Sequence, residues 1–298
     1  MNASKPVPKE AVLIVNTRSR RGQRLFREAA AKLEAAGIHL SAKHSIRRPD
    51  RDLISTMKQA VRSGTPMVIV GGGDGSLSCT VDEVVDRDCV FALLPLGTAN
   101  SFARTLGIPI DLDGAVQAIA TGRRRRIDVG AIDADYFANG SAIGLSPMIA
   151  ASIPHKLKRY LGRPGYLMWS VWCLSRFHSF KLMVEGPHGT ETLRALEVRI
   201  ANGAFSGGIK VVDGAEVDSG EIVIEAVTGH ARTTLASNWL RLLLRLPKRE
   251  REVRQFRGRS LRITTDPPLP ISIDGEVLAR TPVTASVAER AIEVVVPA

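Results

Sequence analysis

The sequence lacks the features that mark a secreted, disulfide-bonded or membrane-spanning protein. It has three cysteines, Cys79, Cys89 and Cys173, an odd number whose spacing matches no metal site. The first ten residues carry no apolar signal core. No apolar run approaches the ~20 residues that a bilayer-spanning helix needs. We therefore expect a protein of the reducing cytoplasm.

Acidic residues are in the minority. The 298-residue chain has 41 lysines and arginines against 30 aspartates and glutamates, which gives a formal net charge of +11. Such a charge favours an anionic partner, namely a nucleotide, a nucleic acid or an acidic membrane surface, and it also suits simple solubility. No nucleic-acid-binding module is recognisable, so we expect no nucleic-acid partner.

The sequence also lacks a Gly-Lys-Ser/Thr phosphate loop and the GxGxxG order of dinucleotide folds. It has instead VIVGGGDGSLS at Val68–Ser78, an apolar run followed by three glycines and a polar helix start. This arrangement aims backbone N–H groups and a helix N-terminus at a phosphate. The Asp74 carboxylate would repel that phosphate unless a cation or a hydroxyl lies between them. The stretch therefore indicates a nucleotide with a divalent cation, or else a strand-to-helix turn without a ligand.

Strands and helices alternate through the first part of the chain, which predicts a parallel α/β sheet. Strands are predicted at Ala11–Val15, Ile38–Ser45, Val68–Val70 and Cys89–Leu94. Polar turns follow three of them, at Asn16–Gly22, Gly71–Ser76 and Pro95–Asn100. Ligands of such sheets bind at the carboxyl ends of the strands. Asn100 or Ser101 is the predicted cap of the helix after the third turn.

The pattern changes after the arginine run Arg123–Arg126. Short strands alternate with glycine-rich turns, and long helices are predicted only near Gly165–Arg176 and Thr233–Leu246. This pattern is typical of antiparallel β structure. We therefore predict an α/β fold with a parallel nucleotide-binding domain over residues 1–126 and a mostly antiparallel β-sandwich domain over 127–298. The last strand is free to return to the first domain. The predicted strands are Ile127–Ile132, Tyr136–Asn139, Lys181–Glu185, Leu193–Ile200, Glu221–Val227, Ser260–Thr264, Ile271–Ile273 and Ile292–Val296.

Four motifs together resemble the diacylglycerol kinase catalytic family, especially its soluble bacterial lipid kinases, within the superfamily that also holds the NAD kinases. GGDGS at Gly72–Ser76 is similar to the family's GGDGT, and PLGTANSFAR at Pro95–Arg104 to its PxGTxND(F/L)AR. Asn16–Gly22 is similar to its NPxSG turn and Asp274–Glu276 to its DGE. The spacing agrees over nearly the whole chain.

The resemblance implies that ATP and Mg²⁺ bind the first domain, with Glu276 as general base and Asp74 as a catalytic contact to metal or nucleotide. It also implies a second Mg²⁺ on the turn Glu216–Glu221, held by Glu216, Ser219 and Glu221. The nucleotide residues that it implies are Asn16, Thr17, Arg18, Ser19, Arg20, Ser45, Gly72, Gly73, Asp74, Gly75, Ser76, Leu77, Ser78 and Thr98.

The chain departs from the family's pattern at several of these positions. Thr17 and Arg20 replace a proline and a glycine of the first turn, and Ser101 replaces an aspartate. In the turn of the second Mg²⁺, Ser219 stands where the family has aspartate, and Asp218 comes one place early.

From the residues alone, Asp274-Gly275 is a β-hairpin signal between Ile271–Ile273 and Val277.

Two stretches of the second domain combine aromatic and basic residues. Tyr166, Trp169, Trp172 and Cys173 form a helical stripe after a basic segment, and Trp239–Leu246 runs into the charged segment Lys248–Arg254. Such a stripe is either part of the core or an interfacial membrane surface. We expect a membrane-lipid substrate and peripheral contact with an anionic membrane.

The leading hypothesis is an ATP-dependent lipid kinase that phosphorylates the hydroxyl of diacylglycerol or a related lipid. The alternatives are a kinase of another acceptor, namely a sphingoid base, ceramide or NAD, and a nucleotide-binding regulator without catalysis. Thr17, Arg20 and the shifted aspartate of the metal turn favour the regulator, whereas the intact Glu276 opposes it. The oligomeric state is left open between a monomer and a homodimer.

Overall fold

The structure is a computed structural model that describes residues 6–18, 20–229, 232–244, 246 and 252–298. The amino-terminal half is a parallel sheet in the order β2-β1-β3-β4 with helices on both faces. Strands β3 and β4 are buried along their whole length, as parallel strands covered on both faces are. The elements are β1 (Glu10–Asn16), α1 (Arg20–Ala35), β2 (His39–Ile46), α2 (Pro49–Arg62), β3 (Met67–Gly72), α3 (Asp74–Val81), β4 (Val90–Pro95), α4 (Ser101–Thr105) and α5 (Leu112–Thr121).

The rest of the chain is a mostly antiparallel β-sandwich, so the predicted fold class is confirmed. Within the described ranges, no helix has the length and apolar character needed to cross a bilayer. The elements are β5 (Arg123–Ile132), β6 (Asp135–Phe137), β7 (Gly140–Gly144), α6 (Leu145–Ser152), α7 (His155–Arg176), β8 (Phe180–Gly186), β9 (Gly189–Ala201), β10 (Phe205–Ser206), β11 (Ile209–Lys210), β12 (Ile222–Thr228), α8 (Arg232–Leu243), β13 (Val253–Gly258), β14 (Ser260–Asp266), β15 (Pro270–Ile273), β16 (Glu276–Arg280) and β17 (Val283–Val296).

The last strand joins the two halves. β17 pairs antiparallel with β14 and β5, and its residues Glu293 and Val294 pair parallel with β4. One continuous fifteen-stranded sheet results. The division of the chain at residue 126 stays a prediction, and β5 runs across it.

Asp128 on β5 holds this junction together. Its side chain is 2% exposed. One carboxylate oxygen accepts the backbone N–H of Arg290 at 2.7 Å, and the other accepts that of Gly220 at 2.8 Å. Arg290 lies where the pairing of β17 with β5 is interrupted. Asp128 therefore ties β5 to an irregular part of β17 and to the turn before β12.

We predict that Asp128→Ala lowers the free energy of unfolding by about 2–5 kcal/mol, because it leaves two backbone N–H groups without their acceptor. Urea denaturation at neutral pH measures the loss. The matched control is Asp88→Ala, since Asp88 is exposed in the loop before β4. A loss no larger than that of the control would contradict the role given to Asp128.

Candidate active site

The three polar turns predicted to meet at the carboxyl edge of the sheet do meet there. The Asn16 amide, at the end of β1, donates to the Ser76 hydroxyl in α3 at 2.8 Å. The hydroxyls of Thr17 and Ser45 lie 2.8 Å apart and join the ends of β1 and β2. Neighbouring parallel strands place their carboxyl ends side by side, so the sheet order itself produces this cluster.

Two of the turns approach each other so closely that only glycine fits between them. A Cβ atom on Gly97 would lie 2.4 Å from the Cα of Gly73. The two loops are therefore packed backbone against backbone. A cavity of about 280 Å³ opens beside them, lined by residues of all three turns and by α1: Asn16, Arg18, Gly22, Leu25, Gly72, Gly73 and Leu96.

The predicted nucleotide residues differ in how their side chains are placed. Thr17 and Leu77 are fully buried, and Leu77 is part of the hydrophobic core. Thr98 is exposed. Ser19 and the side chain of Arg20 lie outside the described part of the chain. The backbone of the glycine loop, rather than every side chain of the set, is thus what the edge of the sheet offers to a ligand.

Asn100 does not cap α4 in the predicted way. It occupies the N-cap position with φ 51° in the left-handed region, but its side chain makes no cap hydrogen bond. Its carbonyl oxygen accepts the Gly97 N–H at 2.9 Å, so the side chain braces the glycine turn. The helix receives its side-chain acceptor from Asp74, whose carboxylate accepts the Phe102 N–H at 3.2 Å.

The Asp274-Gly275 hairpin forms as predicted between β15 and β16. Both turn residues have positive φ, 44° and 99°, as a two-residue hairpin turn requires. The Asp274 carboxylate points back into the protein. It accepts the Ala138 N–H at 2.9 Å, the Gly140 N–H at 3.1 Å and the Ser78 hydroxyl. Burial raises the pKa of Asp274, and these hydrogen bonds oppose the rise.

This carboxylate is the site residue that sequence reasoning missed. The dipeptide was interpreted as a hairpin turn, yet Asp274 connects the hairpin to α3 in the other half of the protein. The signal was present in the DGE motif, which places the aspartate two residues before Glu276. Only the folded chain shows that Ser78 lies opposite it.

Glu276 begins β16, is exposed and lies opposite Ile273 in the hairpin. Burial raises the pKa of the Cys79 thiol to about 11, and the negative charge of Glu276 contributes to that rise. Burial also raises the pKa of Asp82 to about 6, with the carboxylates of Asp135, Glu83 and Asp274 adding to it. Acidic groups of the sandwich half thus face α3.

A cavity of about 320 Å³ lies between the halves. Asp74 and Ser101 line it from the α/β half, and Asn139 and Asp274 line it from the sandwich half. Asp74 directly follows Gly73, which lines the neighbouring cavity at the strand ends. The glycine loop therefore stands between the strand-end cavity and a cavity bordered by carboxylates, an arrangement that suits transfer of a phosphoryl group to a hydroxyl.

The turn Glu216–Glu221, implied to hold a second Mg²⁺, stays a prediction. The Ser219 hydroxyl lies 2.9 Å from the Glu216 carbonyl oxygen and 3.3 Å from that of Glu221. Asp218, the nearest carboxylate along the chain, is paired with Arg125. Within the described ranges, no three histidine, cysteine or acidic side chains are grouped to hold a metal. Mg²⁺ in proteins is usually bound through a carboxylate, and the one next to Ser219 along the chain is already paired with an arginine.

A glycine-rich loop between these two cavities is the arrangement expected of a phosphotransferase with a hydroxyl acceptor. Residues 10–132 match the family model of the diacylglycerol kinase catalytic domain. Residues 144–296 match the model of the YegS C-terminal NAD kinase beta sandwich-like domain. The chain belongs to the diacylglycerol kinase family, in the branch with the YegS-type sandwich, and is a lipid kinase.

Named relatives agree with this assignment. The chain is 32% identical over 216 residues to a Pseudomonas aeruginosa protein named "Probable lipid kinase YegS-like", covering 71% of this chain and 70% of that protein. It is 29% identical over 303 residues to a Staphylococcus aureus diacylglycerol kinase, covering 97% and 93% of the two chains. A crystal structure of a diacylglycerol kinase from Bacillus anthracis superposes with a TM-score of 0.75 at 20% identity over 96% of both chains, which establishes the common fold.

We predict that Mg²⁺ added without nucleotide leaves the Tm of the wild-type protein unchanged, whereas Ser219→Asp gains a Mg²⁺-dependent rise of about 2–4 °C. The new carboxylate would lie between the two carbonyl oxygens. Differential scanning fluorimetry with millimolar Mg²⁺ or a chelator measures the shift, and Ser219→Asn is the uncharged control. A wild-type rise that is lost in Ser219→Ala would show that the turn binds the metal as it stands.

Proposed function

We propose that this lipid kinase transfers the γ-phosphate of ATP to the hydroxyl of diacylglycerol or a related membrane lipid. The observation that carries the proposal is the shared position of Gly73 and Asp74, which border the strand-end cavity on one side and the carboxylate-lined cavity on the other. Phosphoryl transfer depends on positioning and charge neutralisation more than on covalent chemistry. A donor and an acceptor held on either side of one loop meet that need.

In this proposal the strand-end turns bind the nucleotide. The N–H groups of the glycine loop and the amino-terminal end of α3 face the phosphates, and Arg18 adds a positive charge at the mouth of the same cavity. Asp74 would hold the Mg²⁺ that accompanies ATP, and that ion would neutralise charge on the phosphates. Thr17 and Ser45 contribute by fixing the first turn rather than by direct contact.

Glu276 is the proposed general base. The hairpin turn that buries Asp274 leaves Glu276 exposed at the edge of the cleft, on the side that faces α3. A carboxylate there can accept the proton of the lipid hydroxyl as its oxygen attacks the γ-phosphorus. Asp274 serves as a positioning residue, because its carboxylate is occupied by three hydrogen-bond donors.

We predict that Glu276→Gln lowers turnover by about 10²–10⁴, since glutamine keeps the shape but cannot take the proton. The assay follows transfer of labelled phosphate from ATP to diacylglycerol in mixed vesicles. The rise in Tm with MgATP should equal that of the wild type, because the nucleotide contacts lie in the other half.

Glu289→Gln is the control for this substitution, because Glu289 is an exposed carboxylate on β17 that pairs with Arg259. Near-normal turnover in a folded Glu276→Gln enzyme would remove the base assignment. Absence of lipid phosphorylation in the wild type, with normal ATP binding, would instead favour the non-catalytic regulator.

The enzyme must reach a lipid, and α7 offers a surface for this. Met168, Val171 and Trp172 are 58%, 67% and 41% exposed at helical spacing. Next to this strip, Cys173 is buried, and Trp169, whose ring stacks on Trp172, packs against the core. The predicted stripe therefore divides, with part of it in the core and a neighbouring apolar strip open to solvent. Exposed apolar strips of this kind mark interaction sites.

Further apolar side chains are exposed elsewhere on the sandwich half and directly after the proposed base. Leu240 and Leu244 are exposed on and just after α8, and Val277 and Leu278 are exposed directly after Glu276. The Arg176 guanidinium stacks on Trp172 at 4.4 Å from the ring centroid. Apolar and cationic groups together suit the interface of an anionic membrane. We propose that this surface binds the membrane peripherally, with Glu276 turned towards the lipid.

We predict that Val171→Glu weakens binding to anionic vesicles about tenfold, since it removes the burial of one valine and adds a repelled charge. Binding of the wild type should also weaken as salt rises, because the screening length shortens to ~8 Å at physiological ionic strength. Vesicle sedimentation measures both effects. The control is Ile54→Glu, a similarly exposed apolar residue on α2. Equal losses in the two variants would contradict this membrane surface.

A further inference from the structure

One face of the sandwich sheet carries polar and small side chains where a core face would be expected. Neighbouring strands place Ser272, Ala142, Arg199 and Glu225 in one row across β15, β7, β9 and β12. Side chains alternate between the two faces of a strand. The residues between these, such as Ile143, Val198 and Ile224, therefore point to the other face and form the hydrophobic core. The polar row is a property of the whole sheet, not of one strand.

The charged members of this face form a hydrogen-bonded network. The Arg199 guanidinium donates to Glu197 at 3.1 Å, to Glu225 at 3.0 Å and to the Asn238 side-chain carbonyl at 3.0 Å. The Trp239 indole N–H donates to the second oxygen of Glu197 at 2.8 Å. All but Trp239 are buried. Burial alone would lower the pKa of Arg199, but the two carboxylates outweigh it and raise the pKa.

Such a network is costly for a core. Burying each charge costs hydration, and both Glu197 and Glu225 accept from the same Arg199 guanidinium. Well-packed apolar side chains of similar volume are often as stable or more so. The fold therefore keeps charged groups inside the sandwich without an evident gain in stability, and this indicates a role in binding.

The network borders the cavity between the halves. Glu197, Arg199 and Trp239 line its wall, and the small residues Ala142 and Ser272 leave space beside Arg199. Asp74 and Asp274 line the same cavity. Among the described residues on this wall, the charged groups are therefore three carboxylates and one guanidinium. In a setting of low dielectric, such a wall attracts hydroxyl donors and repels anions.

We infer that the wall formed by Glu197 and Arg199 binds the headgroup of the lipid acceptor and selects an uncharged, hydroxylated headgroup over an anionic one. The inference rests on the proposed function. Carboxylate oxygens accept hydrogen bonds from hydroxyl groups, and the guanidinium donates hydrogen bonds to ester oxygens. The same charge disfavours the phosphorylated product, which carries new negative charge at the point where the substrate was neutral, and so favours its release.

The test compares two acceptors in the same mixed micelles: dioctanoylglycerol, which is uncharged, and dioctanoyl phosphatidylglycerol, which is anionic and also has free hydroxyls. The wild type should prefer the uncharged lipid. We divide kcat/KM for the uncharged lipid by kcat/KM for the anionic lipid. Glu197→Gln should reduce this ratio by about tenfold, because it removes one negative charge from the wall. Glu191→Gln is the control on the same strand, since Glu191 is paired with Arg254 at the surface.

A second variant fills the space without a change of charge. Ala142→Leu should raise KM for dioctanoylglycerol about tenfold and leave the MgATP-induced rise in Tm as in the wild type. This variant tests the inference even if Glu197→Gln does not fold. A folded Glu197→Gln enzyme with the wild-type ratio, or Ala142→Leu with the wild-type KM, would overturn the inference.

Calorimetric titration of dioctanoylglycerol micelles without ATP separates this inference from the proposed function. Binding to the wild type but not to Ala142→Leu supports the headgroup site even if no lipid is phosphorylated, in which case the proposed function alone fails. Absence of binding to the wild type overturns the inference, whether or not turnover is seen.

Discussion

The site depends on the hydrogen bonds that the Asp274 carboxylate accepts. It accepts N–H groups from both ends of the β6–β7 connection and the hydroxyl of Ser78 in α3. Without it, two partly buried N–H groups would lose their acceptor and α3 would lose its direct bond to the hairpin. Because Glu276 follows two residues later, the same contact fixes where the proposed base stands relative to the glycine loop.

The two sides of the cleft differ in chemistry because different elements build them. The α/β half presents backbone N–H groups at the ends of parallel strands, which suit phosphates. The sandwich half presents carboxylates, which suit hydroxyl groups and reject anions. Asp74 lies at the boundary, bonded to the backbone of α4 and lining the cavity between the halves. A kinase needs this separation, since its donor is highly charged and its proposed acceptor is not.

The parallel half was predictable because its signals are local. The apolar runs that became β1, β3 and β4, and the glycine turns after them, are legible from adjacent residues. β7 was missed because GSAIG is short and contains two glycines. Only the end of β17 was predicted, since its first part alternates with polar residues. A strand can be recognised from sequence when its own composition is distinctive. β7 and the first part of β17 lack such a composition and form strands because neighbouring strands pair with them.

The site shows the same limit. The family resemblance led to the predictions for Asp74 and Glu276, but the wall proposed to bind the headgroup depends on Arg199 meeting Glu225, which lies 26 positions further along the chain. Strand pairing creates that contact, and no local pattern announces it. The missed role of Asp274 has the same origin, because its partner Ser78 belongs to the other half.

The most direct test of the account is the turnover of Asp274→Asn, measured as labelled phosphate transferred from ATP to diacylglycerol. Asparagine keeps the size of the side chain and the hairpin turn. It replaces one of the two acceptor oxygens with an NH₂ group, which cannot accept a hydrogen bond from these donors. The account predicts a folded protein with its MgATP-induced rise in Tm intact and with turnover reduced by about tenfold or more, the equivalent of one lost hydrogen-bonded contact. Wild-type turnover in a folded Asp274→Asn enzyme would contradict it, since the carboxylate would then not position the base.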